Sequence, residues 1–132
     1  MARNTDITTL KKRAEFLAVA ASGKKWVMPG MLVQIKKILP PELEAEEHKT
    51  APAPLLRYGL TASKRVGNAV QRNRAQRRLR ALAHEVLTSN GSPAYDYVLV
   101  ARPATVTRAF DDLRRDLVTA LKRLNTWQDK SS

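Results

Sequence analysis

The 132-residue sequence contains no cysteine and only two histidines. Without thiols it forms neither a disulfide nor a thiolate metal site. No stretch approaches the roughly 18 apolar residues that a membrane-spanning helix requires, and the N-terminus lacks the apolar segment of a signal peptide. We therefore expect a soluble, cytoplasmic protein that is not inserted in a membrane.

Acidic residues are also scarce. Asp and Glu total 12 against 24 Lys and Arg, which gives a net charge of +12. The proline-rich stretch 40–54 holds a third of these acids, so the remainder of the chain is more basic than the average suggests. A charge this far from zero favours a polyanionic partner, with nucleic acid as the first candidate and an anionic membrane as the second.

The length is typical of one domain. Apolar residues make up 43% of the chain, which is enough for a modest core. We therefore interpret 1–132 as a single domain, in which 40–54 is an acidic, proline-rich connection and 126–132 is a tail.

Hydrophobic periodicity predicts both helices and strands. A first helix, capped by Asp6, Thr8 or Thr9, is expected to end at Ala21. A last helix is expected to start near Thr107. Short apolar or alternating runs predict strands at 31–39, 55–62 and 95–101, with room for a further strand around 25–28.

Asn68 and Gln71 have the spacing of a capping box, which predicts a helix from there to about Thr88. Its apolar residues share one arc of roughly 100° on a helical wheel: Ala75, Leu79, Leu82, Ala83 and Val86. The opposite side carries Asn73, Arg74, Arg77, Arg78 and Arg80. Val70 and Arg72 fit neither face.

The stretch 64–80 is strongly basic, and no acid occurs from Arg57 through His84. Guanidinium groups suit phosphate because they are planar, always charged and able to donate hydrogen bonds in pairs. The alternative is a solvated face on a very soluble protein, but solvated helices usually mix charges of both signs. The pattern favours a nucleic-acid backbone as the partner.

No metal site is predicted in the protein. His84 lacks the second histidine that a zinc-binding helix needs. Asp111 and Asp112 suit the first turn of the last helix, where the helix dipole favours acids. Asp96 is explained by solvation at a strand edge.

The block 63–70, Ser-Lys-Arg-Val-Gly-Asn-Ala-Val, followed by Arg72-Asn73-Arg74, closely resembles the signature of bacterial ribonuclease P protein subunits. Residues 10–16 are similar to that family's first helix, and 96–102 to its last strand. The resemblance implies an α+β fold, a two-layer α/β sandwich like domain 2 of ribosomal protein S5, with the order α-β-β-β-α-β-α. It also implies a left-handed βαβ crossover carrying the arginine-rich helix, a hand that general rules would not predict.

The resemblance also implies a function. In that family the RNA subunit carries out the Mg²⁺-dependent endonucleolytic removal of the 5′ leader from precursor tRNA. No catalytic residue is then expected in the protein, and Mg²⁺ is expected mainly on the RNA. The implied partners are the ribonuclease P RNA and precursor tRNA, with no DNA, so the chain would be the RNA-binding protein component of an endoribonuclease.

Matching to the family's motifs, residue by residue, implies two binding surfaces. The catalytic RNA would be bound by Arg65, Asn68, Arg72, Asn73, Arg74, Arg77, Arg78 and Arg80. The single-stranded leader would lie in a cleft lined by Phe16, Gln34, Arg57, Thr61 and Lys64. For Phe16 the sequence leaves a core role and a cleft role equally open, since a lone aromatic in an amphipathic helix is usually packed.

Three positions depart from what that family often has. Gln76 stands where Lys or Arg is common, and Arg78 is the candidate to replace the weakened contact. Ala20 and Gln34 stand where relatives often carry aromatics. Because stacking on an aromatic contributes roughly 1–3 kcal/mol per base, this cleft is expected to hold the leader more by charge and hydrogen bonding.

Two other functions fit parts of the sequence. Composition alone equally supports a generic RNA-binding or ribosomal protein. A DNA-binding regulator would place the arginine-rich helix in a groove, but no paired helix-turn-helix pattern supports it. One assay separates the ribonuclease P hypothesis from these two alternatives. Only that hypothesis requires the cleavage of precursor tRNA at low Mg²⁺ to depend on this protein.

Overall fold

The computed structural model describes residues 6–37, 55–92 and 95–127. The predicted connection at 40–54 and residues 128–132 of the predicted tail lie outside them. The strands are β1 (Asp6–Thr9), β2 (Lys24–Met28), β3 (Met31–Lys37), β4 (Leu55–Thr61) and β5 (Tyr95–Ala101). The helices are α1 (Arg13–Ala21), α2 (Ala69–Leu82), α3 (Pro103–Thr107) and α4 (Phe110–Arg123). Helix α2 continues through a π-helical turn, Ala83–Leu87, and a last turn, Thr88–Asn90.

The strands form one mixed sheet in the order β1-β4-β5-β3-β2. The central strand, β5, pairs in parallel with β4 and antiparallel with β3. At the edges, β1 pairs in parallel with β4, and β2 pairs antiparallel with β3. Because β4 and β5 are parallel neighbours, the connection through α2 is a βαβ crossover. The predicted α+β class and the crossover that carries the arginine-rich helix are confirmed.

The main core lies between one face of the sheet and the helices α2 and α4. Its buried apolar residues include Met31, Val33, Ile35, Leu56, Tyr58, Leu79, Leu82, Tyr97, Leu99, Leu113, Leu117 and Leu121. Since successive strand residues point to opposite faces, the intervening positions face the other way. There a smaller cluster of Leu10, Val19 and Val98 lies with α1, which packs on β3 and β5.

The N-terminal helix starts later than predicted. Residues Asp6–Thr9 do not cap a helix; they form β1, which pairs in register with the start of β4. Ile and Thr favour strands, and the edge of β4 offers hydrogen bonds that no local pattern reveals. Helix α1 begins at Arg13, where the Glu15 carboxylate accepts hydrogen bonds from the backbone N–H groups of Lys11 (2.9 Å) and Lys12 (3.0 Å).

The other elements follow the predicted pattern. Strand β5 has the predicted bounds, β2 occupies the place left for a further strand, and the helix after Asn68 ends at Asn90. Asp111 and Asp112 lie in the first turn of α4, as expected. The short helix α3 was not predicted; it begins at Pro103, a residue type that suits the first helical position.

A buried carboxylate fixes the turn between β2 and β3 to α4. The Gly30 N–H donates to Asp116 Oδ2 (2.9 Å), and Arg108 Nε donates to the same oxygen (2.8 Å). A Cβ on Gly30 would lie 2.4 Å from a Leu113 methyl group, so this close approach requires glycine. Helix α4, held in this way, packs beside α2.

The chain remains packed beyond the end of α4. The Thr126 N–H donates to the Leu121 carbonyl oxygen (2.9 Å), and Thr126 is buried. Trp127 packs against the main core. The first two residues of the predicted tail, 126 and 127, therefore belong to the folded domain.

Candidate nucleic-acid interface

Helix α2 begins at the capping box that the sequence predicted. The Asn68 side-chain oxygen accepts from the Gln71 N–H, and the Gln71 side-chain oxygen accepts from the Asn68 N–H, both at 2.9 Å. Gly67 has a φ of +146°, and a Cβ there would lie 1.9 Å from Gln71 Oε1. Only glycine fits this position, so Gly67 allows the cap to form and to set the start of the basic helix.

The exposed side of α2 is basic. Asn73, Arg74, Arg77 and Arg80 are exposed along it, and we call this set the α2 ridge. No acidic residue occurs in α2. Within the described part of the chain, the guanidinium groups of Arg77 and of Arg65, which precedes the helix, make no hydrogen bond or ion pair. Both residues are exposed.

Arg78 is half-buried because its side chain turns toward α3. The guanidinium donates to the carbonyl oxygens of Thr105 (2.7 Å), Val106 (3.0 Å) and Arg108 (2.7 Å). Arg74 Nε also donates to the Val106 carbonyl oxygen (3.0 Å). Burial, and then the nearby Arg74 charge, lower the pKa of Arg78 from its ordinary value. Arg78 thus ties α2 to the C-terminal carbonyls of α3.

Two further arginines of this region have internal partners and still reach the surface. Arg72 Nη1 donates to the Gly67 carbonyl oxygen (3.2 Å), and the residue is half-buried. Arg80 is exposed and lies against the hydroxyl of Tyr58; burial raises the pKa of Tyr58, and Arg80 opposes that rise. These contacts orient both arginines without enclosing them.

A shallow groove of about 560 Å³ runs along the ridge, and we call it the Val70 groove. It is lined by Val70, Asn73, Gln76, Arg77 and Arg80. Gln76 and Arg78 lie about 200° apart around the helix. Arg78 therefore does not stand where it would replace the contact that Gln76 lacks.

A second groove, of about 230 Å³, lies beside β4, and we call it the Phe16 groove. Its lining is Thr9, Leu10, Phe16, Gly59, Leu60, Gln76 and Arg80, so it shares Gln76 and Arg80 with the Val70 groove. The Phe16 ring lies on Gly59, where a Cβ would come within 2.4 Å of a ring carbon. Phe16 is half-buried and also packs on the smaller cluster. The ring thus combines the two roles that the sequence left open, packed on one side and lining a groove on the other.

The predicted leader residues of the sheet share the face that carries this ring. Gln34 on β3 and Gly59 on β4 are both register partners of Val98, which belongs to the cluster with α1. Thr61 lies two positions after Gly59, so alternation places it on the same face. Lys64 is exposed just beyond the end of β4. The structure therefore places Gln34, Thr61 and the Phe16 ring on one face of the sheet, with Lys64 in the loop that follows β4.

Arg57 also lies on this face, but its guanidinium is bound within the protein. It donates to both carboxylate oxygens of Asp96, at 3.0 and 2.7 Å, and to Glu15 at 3.0 Å. The hydrogen bond to Asp96 is the main cause that raises the pKa of Arg57. Backbone hydrogen bonds from Lys12 and Lys11 are the main causes that lower the pKa of Glu15. Through Glu15, the bridge holds α1 over the sheet.

The prediction that Asp96 is solvated at a strand edge is wrong. Asp96 is 3% exposed, because β5 is the central strand of the sheet. Its register partner on β4 is Arg57, which neutralises it. A buried carboxylate needs such a partner, since an uncompensated charge in the interior is strongly destabilising.

Sequence reasoning missed Gly59 and Glu15 as residues that shape the site. A glycine inside an alternating strand is a known sign of close approach by another group, so Gly59 carried a usable signal. Glu15 carried none toward Arg57, because 42 positions separate the two residues in sequence.

The described carboxylates do not fit a Mg²⁺ site. Across 6–37, 55–92 and 95–127, no group of three or more His, Asp or Glu residues is placed to hold a metal ion. The buried carboxylates Asp96 and Asp116 are paired with Arg57 and Arg108. Over the same residues, no helix has both the length and the apolar character needed to cross a membrane.

Comparison with known sequences finds a family model and individual relatives that belong to the same family. Residues 5–125 match the family model described as Ribonuclease P. The ribonuclease P protein component of Paramagnetospirillum magneticum is 43% identical over 119 residues, covering 90% of this chain and 84% of that protein. Its counterpart in Ruegeria pomeroyi is 43% identical over 123 residues, covering 92% of this chain and 90% of that protein.

Solved structures with the same fold come from the same group of proteins. The RNase P protein of Staphylococcus aureus has a TM-score of 0.68 at 22% identity, covering 91% of this chain and 97% of that chain. The RNase P protein of Thermotoga maritima has a TM-score of 0.65 at 21% identity, covering 88% of this chain and 96% of that chain. At these identities the likeness establishes the fold alone.

Proposed function

The chain belongs to the family of ribonuclease P protein components, and from this membership we propose that it binds the catalytic RNA of ribonuclease P and the 5′ leader of precursor tRNA. It would serve as the protein part of an endoribonuclease that produces mature tRNA 5′ ends. The described residues support two separate surfaces for these two RNA partners.

The α2 ridge is the observation that carries the proposal. Arg74, Arg77 and Arg80 are exposed along a helix that contains no acid, and Arg65 adds a further open guanidinium. Arginines in such a row neutralise successive phosphates and release the counterions that those phosphates had bound. This surface would bind the catalytic RNA, with Asn73 as a hydrogen-bonding neighbour.

Three other residues matched to RNA binding would act partly through structure. The Asn68 side chain closes the helix cap, and Arg78 holds α2 against α3. Both would keep the ridge in place for RNA. Arg72 retains surface exposure beside the cap and would contact RNA directly.

The Phe16 groove is the proposed site of the leader. Phe16 supplies an aromatic surface for stacking within the groove. A leader that extends beyond the groove over the same face of the sheet would meet Gln34 and Thr61, which can form hydrogen bonds, and Lys64, which adds charge after β4. The groove meets the Val70 groove at Gln76 and Arg80, so a leader lying in it would border the catalytic RNA.

Arg57 would contribute to this groove mainly by position. Its guanidinium already donates to Asp96 and Glu15, and about 35% of its side chain remains exposed. Binding a leader phosphate would have to compete with two carboxylates. Its main effect would be to hold α1, and hence the Phe16 ring, over the sheet.

The hydrolytic chemistry belongs to the RNA in this proposal. We place the Mg²⁺ ions mainly on the RNA subunit, because the described buried carboxylates are already paired with arginines. The protein would orient the leader and reduce the repulsion between two polyanions, the catalytic RNA and precursor tRNA. Both effects raise the affinity for precursor tRNA without a catalytic group in the protein.

Reconstitution tests this function. The purified chain is mixed with the ribonuclease P RNA of the same genome and a precursor tRNA at low Mg²⁺. We expect leader removal to depend on the protein. Equal cleavage without the protein, or equal stimulation by an unrelated protein of the same net charge, would contradict the proposed function. The chain would then be assigned only generic RNA binding.

A further inference from the structure

One apolar side chain stands exposed within the basic surface. Val70 is 74% exposed, whereas the other large exposed hydrophobic residues of the described chain, Leu17, Val27 and Trp26, are 53%, 50% and 38% exposed. Val70 belongs to neither the main core nor the smaller cluster. The capping box beside it also leaves its side chain unused.

The surroundings of Val70 are those of a site for a nucleotide. Val70, Asn73, Arg77 and Arg80 follow one another at helical spacing and so share a face, and Gln76 completes the groove. The apolar surface of Val70 suits the flat face of a base. The amides of Asn73 and Gln76 both donate and accept hydrogen bonds, as the edge of a base requires. The two guanidinium groups suit the flanking phosphates.

From these observations we propose that the Val70 groove binds one unstacked nucleotide of the catalytic RNA, with its base against Val70 and its polar edge toward Asn73 and Gln76. This inference rests on the proposed function, which assigns RNA to the α2 ridge. An unpaired nucleotide is the occupant because bases splayed out of a helix expose both a face and an edge, whereas the bases of an RNA duplex are hard to reach.

The groove adds selectivity to a surface that is otherwise electrostatic. Contacts between arginine and phosphate position RNA but carry no sequence information. Contact between Val70 and a base depends on an unpaired nucleotide at one place in the RNA. The two contributions are separable, because only the electrostatic one changes with salt.

The first test compares Val70→Ser with wild type in binding to the ribonuclease P RNA over a range of salt concentrations. We expect about fivefold weaker binding, equivalent to ~1 kcal/mol, with an unchanged slope against the logarithm of salt concentration. Val and Ser have similar helix propensities, so α2 should remain folded, and circular dichroism checks this. Val70→Ile keeps the apolar surface and should bind within about twofold of wild type.

The matched control is Val27→Ser, which removes another exposed valine from β2 at the far edge of the sheet. We expect wild-type binding from it. Equal affinity of Val70→Ser and wild type, or equal weakening by both serine variants, would overturn the inference while leaving the proposed function intact. A wild-type protein that does not bind this RNA would overturn the proposed function as well.

Chemical probing supplies a second readout. Dimethyl sulfate and carbodiimide modify the Watson–Crick edges of unpaired bases in the RNA. Wild-type protein should protect at least one such base, and Val70→Ser should lose that protection at saturating protein. Unchanged protection across both proteins would contradict a base in the groove.

Discussion

At the scale of single residues, Gly59 decides where the aromatic wall of the Phe16 groove lies. The Phe16 ring occupies the space that a side chain at position 59 would take, since a Cβ there would lie 2.4 Å from the ring. The bridge from Glu15 to Arg57 holds the same helix one residue away. A small change at position 59 should therefore alter leader binding without touching any charge.

Gly59→Ala is predicted to displace the Phe16 ring and so to weaken the binding of precursor tRNA about tenfold. This loss lies within the roughly 1–3 kcal/mol that one stacked base contributes. Mature tRNA, which has no leader, should bind as before. Affinities of the reconstituted complex for both RNAs measure this. Equal loss for both RNAs in a folded variant would contradict the assignment of the leader to this groove.

Tyr97 gives the protein a sensitivity to alkaline pH. Its hydroxyl accepts from the Ser92 N–H at 2.9 Å, and burial raises the pKa of Tyr97 above its ordinary value. A raised folded-state pKa contributes stability that is fully present below the unfolded value, about 10. That contribution is lost as the pH rises through the folded pKa.

Tyr97→Phe should reduce this alkaline loss and cost about 1 kcal/mol at neutral pH, the contribution of one hydrogen bond. Urea unfolding between pH 7 and 11 measures both effects. An unchanged slope for Tyr97→Phe would show that burial of this hydroxyl does not govern the response.

At the scale of elements, the orientation of α2 depends on its first turn and on its flank. The capping box fixes its first turn, and Arg78 binds three carbonyl oxygens at the end of α3. Arginine suits this place because its rigid fork donates several hydrogen bonds at once, and its charge favours a helix C-terminus.

Arg78→Lys is predicted to destabilise the fold by about 2–3 kcal/mol, because an ammonium group cannot replace the fork. Arg77→Lys, one position earlier and free of internal partners in the described chain, should leave stability unchanged. The midpoints of urea unfolding compare the two. Equal midpoints would mean that the contacts with α3 contribute little.

The sequence predicted the elements whose signals are local. The capping box at Asn68, the apolar arc of α2 and the alternation in β4 each depend on neighbours within a few residues, and each was found as expected. It failed at β1, which exists because β4 provides an edge, and at Asp96, whose partner Arg57 lies 39 positions away. Contacts between residues that are far apart in the chain leave no pattern in a short stretch of sequence.

The residues of the two binding surfaces were also predicted only in part. Charge and spacing identified the α2 ridge, but the same pattern included Arg78, which the fold turns toward α3. Resemblance supplied Phe16 and Gln34, which periodicity alone would have assigned to a helix and a strand. Whether these residues bind RNA stays a prediction, because their placement on one surface supports the roles without testing them.

At the scale of the whole molecule, acids outside the α2 ridge are paired with arginines, whereas the ridge itself contains no acid. Asp111 and Asp112 of α4, and Glu85 of the π-helical turn that follows α2, are paired with Arg114 and Arg115. The α2 ridge has no acid in its own helix, so its positive charge is uncompensated there. Such a surface should dominate both the rate and the salt dependence of association with RNA.

The most direct measurement is the salt dependence of binding to the ribonuclease P RNA for the double variant Arg65→Gln with Arg77→Gln. Both guanidinium groups lie at the basic surface and make no hydrogen bond or ion pair within the described residues. The control, Lys24→Gln with Lys25→Gln, removes the same charge from β2 at the opposite edge of the sheet. We expect a slope shallower by about 1.4 to 1.8 for the arginine pair and a wild-type slope for the lysine pair. Equal slopes for the two variants would contradict this expectation.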